Sequence, residues 1–264
     1  MAREFRRGVA FGLALFRALA RRKPHYLRDY NFVLAKLLAR NDYGRAMHLS
    51  VGGDYDTTGA ILASLLARLG LRDHQFVVDV GCGSGRLASA LANRFDVHYH
   101  GTDILQPLLD YARTRAPSTY RFTRVERIAI PEKSDSADFV TFFSVATHLL
   151  HHETYLYLEE ARRVAAPGGL IVVSFLEFGI PWHWSFFHNT VRQYHDQVPD
   201  PLNVFIERSV FPVWAEKLGL EIVAIHPGSD TWIPVARPEP VGTDVPEEGL
   251  SSLGQSCAVL RKPL

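Results

Sequence analysis

The strongest structural signal in this chain is the stretch Phe76-Val77-Val78-Asp79-Val80-Gly81-Cys82-Gly83-Ser84-Gly85-Arg86-Leu87. An apolar, β-branched run ends in three glycines spaced two residues apart, and a helix-forming segment follows. This pattern predicts a strand, a tight turn and the start of a helix. Glycine tolerates positive φ and has no Cβ, so the backbone of such a turn can lie close to a ligand. In an open α/β sheet, ligands bind at this carboxyl edge of the strands.

A second strand is predicted to end in an acidic residue at residues 97–104, where a short run finishes at Asp103. Asp103 follows Asp79 by 24 residues and Gly85 by 18. A carboxylate near this spacing hydrogen-bonds a ribose in mononucleotide-type βαβ units, because the next parallel strand ends beside the first. Asp103 can instead cap the helix that follows it, and a glycine turn alone can be purely structural. Together the two elements favour a nucleotide site.

The glycine spacing argues against a dinucleotide site. A G-x-G-x-x-G fingerprint that starts at Gly81 has its third glycine at position 86. Here the third glycine comes one residue early, at Gly85, and Arg86 takes that place. Dinucleotide sites bind a pyrophosphate at a free helix N-terminus. The spacing of residues 81–86 does not predict a pyrophosphate site of this kind.

The remaining strands follow a regular alternation with helices. They are predicted at residues 119–124, 137–144, 170–177, 221–226 and 256–261. Residues 25–50, with a stop near residues 41–44, and residues 60–69 are predicted to be helical. The run at 137–144 is nearly all apolar, as in buried parallel strands. This alternation predicts a doubly wound α/β fold with helices on both faces of a mostly parallel sheet.

Four parts of the chain resemble class I S-adenosylmethionine (SAM)-dependent methyltransferases. They are the glycine turn, the strand end at Asp103, residues 138–149, and the Pro167-Gly168-Gly169 turn. The resemblance covers residues 51–177 well and residues 209–261 loosely.

The resemblance implies a Rossmann-like, seven-stranded sheet whose last strand, at residues 256–261, runs antiparallel. The SAM-binding domain would cover residues 51–264, with a substrate-region insertion at about residues 178–208. Residues 1–50 would form an N-terminal helical extension or cap.

The resemblance also implies SAM as the cofactor and indicates which residues hold it. Asp79 is placed for the ammonium or sulfonium charge and Asp103 for the ribose. The other positions of the implied cofactor site are Gly81, Cys82, Gly83, Gly85, Ile104, Glu126, Ser144 and His148. The family usually carries an acid directly after the third strand, near the adenine amino group. Here Glu126 comes one or two residues late, so either Glu126 or a backbone group takes that role.

The segment after the fourth strand argues against one subclass of these methyltransferases. Methylases of exocyclic amines in nucleic acids carry an Asp/Asn-Pro-Pro-aromatic motif there, whereas this chain has Ser144-Val145-Ala146-Thr147. Metal-dependent catechol-type enzymes need several carboxylates around the site. The sequence shows no such set, so no metal is expected. The SAM methyl group is already activated, so the protein must align an acceptor, exclude water and, for a hydroxyl, remove a proton.

Histidines supply the candidate bases. His148, His151 and His152 are spaced to share one face of a helix, which indicates a general base, a metal or a polar helix cap. His148 is closest to the fourth strand and is the first candidate for a base, and His183 is the second. His188 and His195 are further candidates.

Residues 178–188 are rich in aromatic side chains. They predict either the apolar wall of a small-molecule pocket or the core of an extra helix. The long, proline-rich connection at residues 227–254 predicts a lid or a binding loop.

The net charge and the cysteine content indicate which binding partners and which cellular compartment to expect. The net charge of +1 over 264 residues argues against nucleic acid. Residues 1–28 contain eight Lys/Arg residues and one acid, so this segment carries +7 and the remainder −6. We expect a basic helix that caps the domain, contacts a partner or touches an anionic membrane surface, with a cleaved signal peptide as the alternative. A disulfide between Cys82 and Cys257 would distort the glycine turn, so a reduced, cytoplasmic protein is expected.

The predicted function is transfer of the SAM methyl group to a small-molecule acceptor, with a hydroxyl of a sugar, a lipid-linked compound or a natural product favoured. One alternative is a non-catalytic binding or partner protein on the same fold. Another is a SAM-fold enzyme of a different reaction class, such as an aminopropyl transferase, although residues 178–195 lack the acidic pocket that a polyamine requires. The sequence leaves the oligomeric state open.

Overall fold

The computed structural model describes residues 24–196, 202–236 and 248–264. The strands are β1 (Phe76–Val80), β2 (His98–Asp103), β3 (Arg121–Arg124), β4 (Ala137–Phe142), β5 (Ala165–Phe175), β6 (Glu221–His226), β7 (Ile233–Ala236), β8 (Glu248–Ser251) and β9 (Ser256–Arg261). The α-helices are α1 (His25–Leu38), α2 (Tyr43–Leu49), α3 (Tyr55–Arg68), α4 (Arg86–Ala92), α5 (Gln106–Arg115), α6 (His151–Val164), α7 (Pro181–His195) and α8 (Val210–Leu218). A short 3₁₀ turn covers Ala146–His148.

Seven strands form one sheet in the order β3-β2-β1-β4-β5-β9-β6. The pairs from β3 to β5 are parallel, and β9 runs antiparallel between β5 and β6. This arrangement confirms the predicted fold class, including the antiparallel last strand. The chain leaves β1 in one direction towards β2 and returns on the other side of β1 with β4. The carboxyl end of β1 is therefore the switch point at which such sheets bind ligands.

The central strands are buried on both faces of the sheet. Successive residues of a strand point to opposite sides, so Val78 packs with α1, α6 and α8 while Val77 packs with α3 and α4. This two-sided burial explains why β1 and β4 are nearly all apolar in sequence. It also leaves the carboxyl edge of the sheet as the place where polar side chains can gather.

Two elements differ from their predicted form, and one predicted break is confirmed. The helical region of residues 25–50 is interrupted near residues 41–44 as predicted, and Asp42 caps α2 there, since its carboxylate accepts a hydrogen bond from the Arg45 backbone N–H at 3.0 Å. Strand β4 ends at Phe142, since Ser144 adopts a φ of +60° and turns the chain. The connection at 227–254 contains a two-stranded sheet, β7 with β8, that packs against α3.

The helical extension is joined to the main core, because Tyr26, Leu27 and Leu34 of α1 are buried in it. Most of the predicted basic helix, residues 1–23, lies outside the described residues. Within the described ranges, no helix combines the length and the hydropathy needed to cross a bilayer. Cys82 and Cys257 are both buried, free thiols.

We expect Gly101→Ala to destabilise the protein by about 1–3 kcal/mol, because overpacking of a tight site costs this much. A Cβ at Gly101 would lie 2.7 Å from Cys82 Sγ and 3.0 Å from Phe122 Cδ1. Gly179→Ala is the matched control, since a Cβ there meets nothing within 4 Å. Urea unfolding measures both variants, and an equal loss of stability in the two would contradict this packing constraint.

Candidate active site

A cavity of about 720 Å³ opens at the carboxyl edge of the sheet. This size lies within the usual range for small-molecule sites. The turns after β1, β2, β3 and β4 line the cavity, and so do residues of α1, residues 49–53 and α7. The described part of the N-terminal extension and the aromatic insertion therefore both contribute to the wall of this cavity.

The glycine turn, residues 81–85, is held by hydrogen bonds to β2 and by a close contact with Val51. Gly81 and Cys82 donate backbone hydrogen bonds to the Thr102 carbonyl at 2.8 and 2.9 Å, which ties the turn to β2. Gly83 has a φ of +56°, and a Cβ there would lie 2.4 Å from Val51 Cγ1. Glycine is therefore required at position 83 both by the backbone conformation and by the close approach of the Val51 side chain.

Asp103 ends β2 and lines the cavity. Its Oδ2 accepts a hydrogen bond from the Gly83 N–H at 3.0 Å, and its Oδ1 accepts one from the Leu105 N–H at 2.9 Å. Burial raises the pKa of Asp103, and these backbone donors act to lower it. A carboxylate has about four acceptor positions, so about two remain for hydroxyl donors of a ligand.

Asp79 lies in β1 and is only 3% exposed. Its Oδ1 accepts a hydrogen bond from Thr141 Oγ1 at 2.7 Å, and its Oδ2 accepts one from Tyr99 Oη at 2.6 Å. Burial raises the pKa of Asp79 to about 6, although both hydroxyl donors act to lower it. Asp79 thus places a carboxylate, shielded from solvent, at the wall of the cavity.

The structure does not bring Glu126 into the cavity. Its carboxylate forms an exposed ion pair with Arg124, whereas the preceding Val125 lines the cavity and donates its backbone N–H to the Asp103 carbonyl at 2.9 Å. This placement favours the backbone alternative near the adenine.

A cluster of polar side chains lies after β4. Ser144 is the one member of this cluster that the sequence analysis identified as a site residue. The Ser144 N–H donates to Ser174 Oγ at 2.7 Å, Ser174 Oγ donates to Gln255 Oε1 at 2.7 Å, and Gln255 Nε2 donates to Ser144 Oγ at 3.1 Å. All three residues line the cavity. Ser174 could have been noticed as a polar residue within an apolar strand. Gln255 carried no such signal, because it reaches the site from a distant part of the chain.

The three neighbouring histidines do not share a helical face, which corrects that prediction. Leu149 is extended, with φ −108° and ψ +140°, and it separates the turn that ends at His148 from α6. His151 and His152 are exposed at the start of α6, while His148 lines the cavity. His148 Nδ1 lies 2.8 Å from the Leu202 carbonyl. A carbonyl can only accept, so Nδ1 is the protonated nitrogen and a neutral His148 ring has its lone pair on Nε2.

The position of His183 does not suit a base, which corrects the second candidate. The side chain is fully buried and does not line the cavity. Its Nε2 donates to the Gly254 carbonyl at 2.9 Å, so its Nδ1 accepts the Glu177 N–H at 3.1 Å. Both nitrogens are used to fix α7 against the residues beside Gln255. His188 and His195 are exposed on α7 and do not line the cavity either.

The aromatic segment was predicted to be either the apolar wall of a pocket or the core of an extra helix. Each of these interpretations holds for part of it. Trp182 and Phe186 line the cavity and are 59% and 39% exposed. Phe178 and Phe187 instead pack on Phe205, with the Phe178 and Phe205 rings stacked at a centroid distance of 4.6 Å. The segment is therefore an extra helix that presents two aromatic rings to the cavity.

Comparisons with known proteins agree with this arrangement. Residues 77–169 match a family model described as a methyltransferase domain. The chain is similar to one in the complex of the Haloferax volcanii Trm112 methyltransferase activator with a methyltransferase, at 19% identity and a TM-score of 0.58, covering 89% of this chain and 98% of that one. It is also similar to magnesium protoporphyrin IX methyltransferase from Synechocystis PCC 6803 with bound SAH, at 15% identity and a TM-score of 0.56, covering 89% and 95%. A TehB-like SAM-dependent methyltransferase from Corynebacterium glutamicum matches at 18% identity and a TM-score of 0.52, covering 91% and 100%.

The strand order is that of the class I SAM-dependent methyltransferase fold, and residues 77–169 match a methyltransferase domain. The domain match and the fold point to SAM as the cofactor. The residues present fit that cofactor. Asp103 offers acceptor positions that suit a ribose, Asp79 offers a carboxylate near the glycine turn, and the cavity joins both to the aromatic rings of α7.

We expect Asp103→Asn to weaken SAM binding about tenfold or more, because hydrogen bonds to a charged group contribute about 1.5–3 kcal/mol. Isothermal titration with SAM measures this loss. Asp110→Asn is the matched control, since Asp110 is an exposed carboxylate on α5 that pairs with Arg113. Wild-type affinity in the Asp103 variant would contradict the assignment of Asp103 to the ribose.

Asp79 should make the ligand-free protein less stable as the pH rises. The pKa of Asp79 in the folded state is about 6, above its ordinary value of 3.8, so the folded state binds this proton more tightly than the unfolded state. The protonated carboxyl therefore adds to the free energy of unfolding below pH 4. This contribution, on the order of 3 kcal/mol, is lost as the pH rises through 6. Asp79→Asn removes this loss, and urea unfolding of both proteins at pH 4.5 and pH 7 measures it. A stability difference between the two proteins that does not change with pH would contradict the prediction.

Proposed function

We propose that this methyltransferase acts on a hydroxyl oxygen of a small molecule bound between the turn after β4 and α7. The proposal rests on the hydrogen bond from His148 Nδ1 to the Leu202 carbonyl. This bond makes Nε2 the proton acceptor of a neutral His148 ring, and His148 lines the cavity. Sugars, lipid-linked compounds and natural products with a free hydroxyl are the acceptor classes that we favour.

The sheet order supports this placement of the acceptor. Asp103 at the end of β2 lies on one side of β1, and the turn after β4 lies on the other. Asp103 would hold the nucleoside on one side of β1, and Ser144 and His148 would hold the acceptor on the other. The proposed site thus has the cofactor on one side of β1 and the acceptor on the other.

SAM supplies a methyl group on a sulfonium that needs no further activation. His148 Nε2 takes the proton of the acceptor hydroxyl as the oxygen attacks the methyl carbon. Ser144 and Gln255 orient polar groups of the acceptor. Trp182 and Phe186 cover its apolar part and keep water out of the cavity. Bound SAM would supply the methyl group, and the electron pair of its C–S bond would stay on sulfur in a neutral thioether.

We propose that α1 belongs to the same acceptor site. Tyr26, Tyr30 and Val33 line the cavity, and the edge of the Tyr30 ring meets His148 at a centroid distance of 5.2 Å. The helical extension, described from residue 24, then acts as a cap over residues 51–264. The neighbour from Synechocystis PCC 6803 is named for a small-molecule acceptor, magnesium protoporphyrin IX, which supports an acceptor of this class.

The test uses SAM labelled on the methyl group and a panel of hydroxyl, amine and carboxyl compounds. We expect label in a base-stable methyl ether. His148→Asn should lower kcat, measured at saturating SAM, by about 10²- to 10⁴-fold. The Asn amide can keep the hydrogen bond to the Leu202 carbonyl but offers no basic nitrogen.

His152→Asn is the matched control, because His152 is exposed on α6 and should keep the wild-type rate. Label on nitrogen or in a base-labile ester would overturn the hydroxyl acceptor. A wild-type rate in the His148 variant would overturn the base. No transfer to any compound, with SAM bound normally, would favour the non-catalytic partner protein.

A further inference from the structure

Glu177 is a buried carboxylate two residues after β5, and no step of the proposed methyl transfer uses it. It is 2% exposed and does not line the cavity. Its Oε2 accepts a hydrogen bond from Arg208 Nε at 2.8 Å, and its Oε1 accepts one from Arg208 Nη2 at 2.7 Å. The same Oε1 accepts a third hydrogen bond, from Ser256 Oγ. Glu177 therefore links the end of β5 to two distant parts of the chain.

The partners of Glu177 lie beside residues that form the cavity wall. Ser256 directly follows Gln255, which lines the cavity. The Glu177 N–H donates to His183 Nδ1 at 3.1 Å, and His183 directly follows Trp182, a second cavity-lining residue. Both Gln255 and Trp182 belong to the proposed acceptor site, so the surroundings of Glu177 fix the backbone on which that site is built.

The segment of residues 202–208 joins Arg208 to the proposed base. Its first residue, Leu202, supplies the carbonyl to which His148 Nδ1 donates at 2.8 Å. Because the partner of one imidazole nitrogen decides which nitrogen carries the proton, the position of this segment sets the tautomer of His148. Two backbone hydrogen bonds of 2.8 Å tie the segment to the turn after β4 and to the end of β5, from Val204 to the Thr147 carbonyl and from Ile206 to the Leu176 carbonyl.

We propose that Glu177 and Arg208 are positioning residues for methyl transfer. Their ion pair fixes the far end of residues 202–208, which keeps the Leu202 carbonyl in place for His148. A buried ion pair is often no more stabilising than an apolar pair of the same volume, whereas an arginine fork fixes direction as well as distance. The inference rests on the proposed role of His148 as the base.

The kinetic test uses Arg208→Met, with kcat counted per SAM-binding site from isothermal titration so that unfolded protein does not contribute. We expect kcat to fall by about 10²-fold, the cost of a displacement of about 1 Å by a change away from the chemistry, and KM for the acceptor to rise. Arg208→Lys should recover part of the rate, because the charge remains. Glu177→Gln keeps the shape of the side chain without its charge, and it should show the same loss as Arg208→Met.

Arg163→Met is the matched control. Arg163 Nε and Nη2 form the same two-bond fork with Glu160, at 2.9 Å each, and neither residue lines the cavity. This variant should keep the wild-type kcat and KM. An equal loss in the Arg163 and Arg208 variants would mark a general effect of a lost ion pair and overturn the proposal, as would wild-type kinetics in Arg208→Met and Glu177→Gln.

A second measurement tests the link to His148 without any acceptor. The ¹⁵N resonances of the neutral His148 ring, assigned by their absence in His148→Asn, should show the Nδ1–H tautomer in the wild type. In Arg208→Met the two nitrogen resonances should move towards each other as the tautomers mix, and an unchanged tautomer would overturn the proposal. Absence of methyl transfer to hydroxyl compounds in the wild type would overturn the proposed function instead, and the nitrogen resonances would still report on the link.

Discussion

The site depends on the way that the end of β2 holds the turn after β1. The Thr102 carbonyl accepts the N–H groups of Gly81 and Cys82, and the Asp103 carboxylate accepts the N–H of Gly83. These hydrogen bonds satisfy donors that a tight turn would otherwise leave unpaired in a buried place. They also keep the Asp103 carboxylate at the cavity wall. The glycine turn and the carboxylate that accompanies it are thus one unit, and neither has its geometry without the other.

Charge at this edge of the sheet is arranged for a ligand rather than for the stability of the free protein. Asp79 is almost fully buried, and its pKa is raised to about 6 by that burial. Arg86 is partly buried against neutral carbonyls. Groups with perturbed pKa values are concentrated in functional sites, because the free energy lost in desolvating them is recovered when a complementary ligand binds.

Sequence reasoning succeeded where a local pattern determines local structure. The strand at residues 76–80, the turn after it and the strand ending at Asp103 were all predictable, because a buried parallel strand needs a continuous apolar run. Such reasoning failed at the histidines, where helical spacing was assumed to continue from His148 to His152. The extended backbone at Leu149 interrupts it, and no residue type at that position signals the break. The burial of His183 was equally invisible, since its partners Glu177 and Gly254 come from two different segments.

The class of fold, the glycine turn and the acidic residue on the neighbouring strand are all encoded locally in the amino-acid sequence. Each of them depends on short-range periodicity and on the few residue types that a tight turn accepts. The set of polar groups that face the cavity is instead a product of tertiary packing. Ser174 and Gln255 meet because β9 pairs with β5 in antiparallel register. Arg86 reaches residues 51–52, about 35 positions earlier in the chain, because α3 packs against α4. Contacts of this kind depend on how elements pack, and no local pattern in the chain encodes that packing.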